Sequence, residues 1–435
     1  MPIARTLLTV LLLFLSCCDV IAQISDSTSV PLSKQLRAQF DKLPIDFSTS
    51  LELKYGLRTA TAPVDRPAAI LGESRLQLDA AYYADWSEMK GKIDLGYDGV
   101  QRAPLVDLRE LYVEVYPHSW WSAKVGRQAL TWGKGDLVFI NDLFPKDYQS
   151  FFSGRDIQYL KAPSDAFKLT LSPSWLQINI VYTPQFDPDR FPTGERIVFF
   201  DQFYQSYRVP DNQLPFNLPS QWLSDDELAW RLQKNVGGWD LALYGYSGFW
   251  KGPNGFDTSI SQYSFPSLQV YGLSADGSVL GGIVAVEAGY YASTDDDSGE
   301  DPFVRNSEYR WLISYGLDLP KSLSLSLQYY SEIMTDYDEY IATLPDGIWI
   351  LPQRQDMLSI RARKLASKQR LELSLFAFFG IANTELYLRP RVAYKINDYW
   401  KVDIGANIFA GSDDLTFLNQ FRYNNNLYFG IKWAI

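Results

Sequence analysis

The chain has two cysteines and one histidine in 435 residues. Both cysteines, Cys17 and Cys18, stand in the apolar stretch at the N-terminus. Downstream of it no thiol remains for a disulfide or a thiolate metal site, and the lone His118 makes a zinc site of the usual N/S ligands untenable. A secreted chain of this kind is not a disulfide-stapled scaffold, and it can cross an oxidising compartment unfolded. Long apolar runs are also missing. After residue 22 nothing approaches the ~18–20 residues a membrane-crossing helix needs. Positive charge is in deficit, with 40 Lys and Arg against 51 Asp and Glu, a net charge of −11, which argues against nucleic acid as a partner.

What is present is aromatic and dilute in its greasiness. Hydrophobic residues make up 46% and aromatics 15%, yet mean hydropathy is slightly negative. Apolar residues spread among polar ones, with much Trp and Tyr, suit the strands and aromatic girdles of a transmembrane barrel. At the N-terminus, Arg5 and the apolar run Thr6 to Leu15, followed by Val20 and Ala22 at the −3 and −1 positions, have the form of a cleaved secretory signal over 1–22. Phe14, where a lipoprotein signal favours Leu, argues against lipidation at Cys17. Residues 23–46 lack alternation and are expected to form a short periplasmic lead before a barrel over 47–435.

Alternation with period two dominates the rest. Leu323, Leu325, Leu327 and Tyr329 alternate with Ser324, Ser326 and Gln328; Leu371, Leu373 and Leu375 with Glu372 and Ser374; Trp400, Val402, Ile404 and Ala406 with Lys401, Asp403 and Gly405. Each run gives a strand one apolar and one polar face. Short connections are expected near Ser87-Glu88, Pro117 to Ser119, Ser172 to Ser174, Gly237-Gly238, Asp276-Gly277, Pro320-Lys321, Ser367-Lys368 and Asn397-Asp398. Longer polar stretches fall between them at 59–72, 97–106, 133–165, 184–226, 251–266, 294–307, 335–354 and 411–424, with a short link near Gly380 to Asn383. Alternating short and long connections predict an all-β, antiparallel transmembrane barrel of about 18 strands, or 16 if 89–96 or 166–172 is not a strand. Loops 133–165 and 184–226, the second rich in proline, are the candidates to fold inward and narrow the pore. Leu427, Phe429, Ile431, Trp433 and Ile435 have the form of the closing strand that barrel-assembly machinery recognises, although Ile stands last where Phe is usual.

Parity then assigns faces. If Leu358, Ile360 and Ala362 face lipid, Arg361 and Arg363 face the lumen. The same rule turns Arg370 and Glu372 inward, and then Glu385, Arg389, Arg391 and Lys395. Several charges on the lipid face at mid-depth would cost about 2–4 kcal/mol each for Arg or Lys. The outcome is a basic ladder interleaved with Glu372, Glu385 and Asp403. It serves either as a track for anionic solutes or as a charge network paired within itself. Pro390 interrupts the third of these strands and should cause a bulge or local break. Catalysis finds little footing: His118 falls in a short periplasmic turn, far from the outer mouth, and no enzyme activity is expected. The acidic run Asp295-Asp296-Asp297 with Glu300 and Asp301 could offer oxygen ligands to calcium, but its spacing matches no ligand pattern, and a solvated loop accounts for it. No metal or other cofactor is expected.

Residues 124–148 add a resemblance. Lys124-Val125-Gly126-Arg127-Gln128, then Trp132-Gly133 with Gly135-Asp136, then Ile140 to Tyr148, resemble the porin-like superfamily that includes alginate-export-type outer-membrane proteins, in which such a strand leads into a loop folding toward the pore. The resemblance implies passive passage through an arginine-lined barrel. It places Arg127, Gln128 and Trp132 at the strand–loop junction, with Arg127 as a pore-facing charge. Asp136, Asn141, Asp142 and Asp147 would lie in the inward loop, with Arg155 and Lys161 complementing the ladder from that loop. Gly126 and Gly133 would allow close backbone approach. The expectation is therefore a bacterial outer-membrane channel for small polar or anionic solutes, with outer-membrane lipid and the assembly machinery as partners. An export or structural barrel serving a polysaccharide or a partner protein, and a barrel hydrolase, are the alternatives.

Overall fold

A computed structural model describes residues 45–412 and 415–435. The expected signal at 1–22 and nearly all of the expected lead at 23–46 lie outside the described residues. The strands are β1 (Asp46–Arg58), β2 (Ala69–Ala84), β3 (Ser87–Asp98), β4 (Ala103–His118), β5 (Trp121–Ala129), β6 (Pro163–Leu171), β7 (Gln177–Thr183), β8 (Phe199–Asp201), β9 (Ser206–Arg208), β10 (Glu227–Val236), β11 (Trp239–Phe249), β12 (Gly255–Asp257), β13 (Gln262–Ser264), β14 (Ser267–Val279), β15 (Gly282–Ser293), β16 (Glu308–Leu319), β17 (Leu323–Met334), β18 (Arg354–Ala366), β19 (Leu371–Gly380), β20 (Glu385–Lys395), β21 (Trp400–Ala410) and β22 (Asn426–Ala434). The short pairs β8–β9 and β12–β13 are hairpins within loops; the other strands form one 18-stranded sheet.

That sheet closes on itself. β1 pairs with β2 and, antiparallel, with β22, from Ser50 opposite Ala434 to Arg58 opposite Asn426. Closure leaves no edge, so every strand finds its backbone partners inside the sheet, which is the condition for a β-structure to sit in lipid. The faces are inverted relative to a soluble protein. On β1, Leu51, Leu53, Tyr55 and Leu57 are 41–53% exposed on the outside, whereas Ser50 and Lys54 are buried at 7% and 6% on the inside. The end carrying the short turns bears exposed Tyr83, Trp86, Tyr116, Trp120, Trp175, Trp239 and Trp400, an aromatic girdle at one rim. His118 belongs to it, its ring stacked 6.2 Å from that of Trp120.

The turn chemistry fits the register. Gly237 and Gly238 take φ +60° and +86° between β10 and β11, both positive, as the tightest hairpins require. β14 runs past Asp276-Gly277 and turns at Leu280-Gly281 instead. The long connection expected at 97–106 is in fact four residues, 99–102. There Asp98 Oδ1 accepts the N–H groups of Val100 and Gln101 at 2.9 and 3.1 Å and folds the chain back at once. The stretch expected as a loop over 133–165 spans 130–162, because Pro163 already opens β6. Residues 89–96 and 166–171 belong to paired strands, and Ser172 already lies in the turn. At Pro390 the pairing of β20 with β21 lapses between Leu388–Ile408 and Arg391–Gly405 without a change of register, so the missing N–H causes a local break and no bulge. A register shift does occur between β3 and β4 at Lys92/Ile93, where Arg109 is the extra residue on β4. Arg109 is buried and donates through Nη2 to the carbonyl of Lys161 at 2.6 Å.

Candidate pore and its constriction

The loop over 130–162 leaves β5 and turns into the barrel. It carries helix α1 (Tyr148–Ser153), which Asp147 caps by accepting Ser150 N at 2.7 Å and Ser150 Oγ at 2.7 Å. Gly154 ends the helix at φ +100°, in a space where a Cβ would come within 2.4 Å of the Tyr428 ring. Apolar side chains of this loop pack on two opposed groups of lumen-facing residues. Ile140 and Phe144 join Val181, Trp250, Tyr291 and Leu312, while Phe151, Phe152 and Leu160 join Phe376, Phe378, Tyr387 and Phe409. Aromatic residues at inward positions of β19 to β21 are thus the seat of the loop, and their burial helps to hold it.

Polar anchors fix its path. Glu287 on β15 accepts Lys134 N at 2.7 Å and Gly135 N at 3.2 Å through Oε2, and Asn141 N at 2.7 Å through Oε1. Gln328 on β17 accepts Asp136 N at 2.9 Å, and the Tyr291 hydroxyl donates to the Ile140 carbonyl. Gly133, at φ +82°, passes so close to Glu287 that a Cβ would stand 3.0 Å from its Oε1. On the opposite wall Arg155 Nε donates to Glu73 Oε1 at 3.0 Å, and Arg75 pairs with Glu73 and Asp94, both at 2.9 Å. Loop 184–226 also packs against this wall. Its Arg196 is buried against Asp98 and Glu73, and its Asp189 accepts Lys146 N at 2.7 Å. Burial pushes the Asp189 carboxyl up to about 6, against the opposing pull of Lys146.

The expected site residues separate into groups. Arg361 lies in the lumen at the constriction, its Nη1 2.7 Å from Asp136 Oδ1 on the inserted loop, with half of its side chain exposed. Arg363, two positions on, pairs with Glu372 at 3.0 Å and is 44% exposed. Arg391 is drawn to Asp403 at 3.2 Å and Asp156 at 3.4 Å. Arg389 is buried, donates to the Arg155 carbonyl at 2.6 Å and lies over the Phe151 ring. Lys395 stands at the last position of β20, opposite Lys401. Two expectations are corrected. Arg370 is not in the lumen. It sits in the β18–β19 turn and donates to the carbonyls of Lys395 and Ile396, capping chain ends at the rim. Arg127 points outward. It pairs across to Leu111, shares the parity of lipid-facing Val125, and makes a bidentate contact with Asp165 at 2.9 and 2.5 Å. A partner on the next strand offsets its charge, so parity outweighs the tendency of charge to turn inward.

Within the loop, two expected residues meet a ladder arginine: Asp136 through its carboxylate, with Arg361, and Arg155 through its carbonyl, with Arg389. Asn141 is buried against β15, Asp142 pairs with buried Lys146 at 2.9 Å, and Asp147 caps α1; these three shape the loop. The Lys161 carbonyl receives Arg109, and Gln128 donates to the Ala166 carbonyl at 2.9 Å. Trp132 packs edge-on against Phe144 at 4.9 Å. Gly126 takes φ +120°, where a Cβ would lie 2.2 Å from the Leu111 carbonyl oxygen. Glu385 belongs to the mouth, accepting Leu418 N and Asn419 N. Sequence reasoning missed Glu287 and Gln328, and it missed Arg305, Glu308, Arg310 and Glu332 at the outer mouth. Glu308 and Arg310 share the inward parity of fully buried Leu312, a signal that was present.

Above the constriction lies a cavity of about 510 Å³ between the outer loops, floored by Leu137, Val138 and Met357. Among the described residues no cluster of His, Cys, Asp and Glu is placed to hold a metal ion.

No protein-family model and no curated protein sequence matches the chain. Solved structures do match it in fold. Acinetobacter baumannii OccAB3 aligns with a TM-score of 0.54 at 10% identity, over 90% of this chain and 99% of that one. Acinetobacter baumannii OccAB1 aligns at 0.52 and 10% identity, over 90% and 96%. Pseudomonas aeruginosa OccK3 aligns at 0.52 and 11% identity, over 90% and 95%. At such identities the likeness is one of architecture, a closed antiparallel barrel of the same extent.

Proposed function

We propose that the chain is an outer-membrane channel through which small polar or anionic solutes pass passively, its bore set by the loop over 130–162. The carrying observation is the Arg361–Asp136 contact: a strand arginine meets the inserted loop in the lumen, and half of its side chain stays accessible. A structural plug would gain nothing from leaving such a pair wet, whereas at a constriction it presents both signs of charge to a passing solute. Arg363, similarly accessible, continues the polar wall on the periplasmic side. Pairing with Asp136 and Glu372 tempers the preference for anions and leaves it weak.

The inserted loop touches opposed walls, which favours small solutes over a polymer and weighs against the export of a polysaccharide. The resemblance of residues 124–148 to alginate-export-type barrels belongs to this proposal as an indication of a pore-directed loop. Osmotic swelling of proteoliposomes tests it. Small polar solutes should enter at rates that fall steeply with size. Vesicles that stay tight to every solute, although the protein has inserted, would overturn it.

A further inference from the structure

We infer that the outer-mouth cavity is a binding site for an uncharged, ring-bearing amphiphile, captured before it reaches the constriction; the inference deepens the channel reading and rests on it. The cavity has two dissimilar walls. One is charged yet balanced. Arg305 pairs with Glu308 at 2.8 Å and Glu332 at 2.5 Å, and Arg310 pairs with Glu308 and, at 3.5 Å, with Glu332. Two guanidiniums face two carboxylates, so an incoming ion of either sign meets its repulsive partner beside its attractive one. The guanidiniums also lie over aromatic rings, Arg305 at 5.0 Å from Trp250 and Arg310 at 4.0 Å from Tyr291. A solute carboxylate would have to break this set and leave a buried carboxylate of the protein unpaired, which is costly.

The other wall is aromatic and aliphatic: Phe151, Phe378, Tyr387, Leu418 and Phe421 are almost fully buried in it, and Phe139, Tyr148, Leu351 and Phe417 keep accessible surface. It offers edges and faces of rings to a flat apolar body. Met357 in the floor is the adaptable residue of the set. Trp349 also lines the cavity, and its buried indole Nε1 has no acceptor within the protein. An indole N–H left without a partner suits a ligand oxygen, and it accepts a neutral hydroxyl or ether as readily as any other. The volume of about 510 Å³ is that of a drug-sized ligand site. A polyol without a ring would leave the aromatic wall uncovered, and an ion would leave its own charge uncompensated.

Binding and conduction are measured separately on the full chain. In detergent, 4-nitrophenyl β-glucoside, a neutral ring-bearing probe whose nitrophenyl group quenches tryptophan emission, should quench saturably. Phenyl β-glucoside should compete, whereas maltose and benzoate should compete at least tenfold less well. Trp349→Phe, which keeps the ring and removes the donor, should raise the half-quenching concentration several-fold, and Phe417→Ser, at an accessible ring of the cavity, should raise it too. Non-saturable quenching, equal competition by maltose, stronger competition by benzoate, or unchanged affinity in both variants would overturn the site. Ionic current through the same preparation in a bilayer tests the channel reading alone: saturable binding without current would sink that reading, and current without saturable binding would sink the site.

Discussion

Asn141 is held by Glu287: the buried backbone N–H of the loop residue donates to the wall carboxylate at 2.7 Å, and the other oxygen of that carboxylate takes Lys134 N and Gly135 N. A hydrogen bond to a charged acceptor contributes about 1.5–3 kcal/mol, and its loss leaves a buried donor unsatisfied. Glu287→Ala should therefore loosen the loop at its entry and raise single-channel conductance with added current noise, whereas Glu287→Gln should retain part of the hold. Identical conductance and noise in Glu287→Ala would show that aromatic packing alone fixes the loop.

Arg361 and Asp136 should pull ion selectivity in opposite directions. Arg361→Gln leaves the Asp136 charge uncompensated at the constriction, and reversal potentials in a salt gradient should move toward cation preference. Asp136→Asn should move them toward anions by a comparable amount, and Arg363→Gln should act like Arg361→Gln but more weakly. Unmoved reversal potentials in all three would place these side chains away from the conducting path.

Arg127 and Asp165 should matter to stability and be silent in conduction. Removing one partner leaves a bare charge on the outer face near the rim, at a cost of up to about 1 kcal/mol in folding into bilayers. Arg127→Leu combined with Asp165→Leu should regain most of that loss. An altered reversal potential in Arg127→Leu would return this arginine to the lumen.

That arginine also marks the limit of what the residues reveal. Alternation in 323–330, 371–377 and 400–408 is legible because lipid accepts little but apolar side chains, so the outer face must show itself. Parity then turns Arg361 and Arg363 to the side of the sheet on which Arg361 meets Asp136 and Arg363 meets Glu372. At Arg127 it is the resemblance that points to the pore, whereas parity with Val125 turns the side chain outward; its compensating partner, Asp165, lies 38 residues away, and only the β5–β6 register brings the two together. Asp142 and Asp147 carry no mark of their internal roles, since their partners Lys146 and Ser150 are settled by the fold of the loop. Glu287 was invisible for a similar reason: a carboxylate that accepts three backbone N–H groups needs no charged partner in its neighbourhood.

Asp189 predicts a pH dependence. Its folded-state value of about 6 stands above the ordinary 3.8 because burial disfavours the charged form. The folded chain thus holds the proton more tightly than the unfolded one. The contribution of this group to stability is full below 3.8 and fades as pH rises through about 6. Hydrogen-exchange protection of 184–192, corrected for intrinsic rates, should fall between pH 5 and pH 7, and Asp189→Asn should flatten that dependence. An unchanged slope in the variant would assign the titration to another group.

The most direct test of the central claim, a lipid-embedded closed barrel with a wet, loop-narrowed bore, is single-channel recording of the purified full chain in a planar bilayer. The structure predicts discrete current steps of reproducible size, with a weak anion preference. Bilayers that stay silent at every voltage, with the protein verified as inserted and folded, would contradict it.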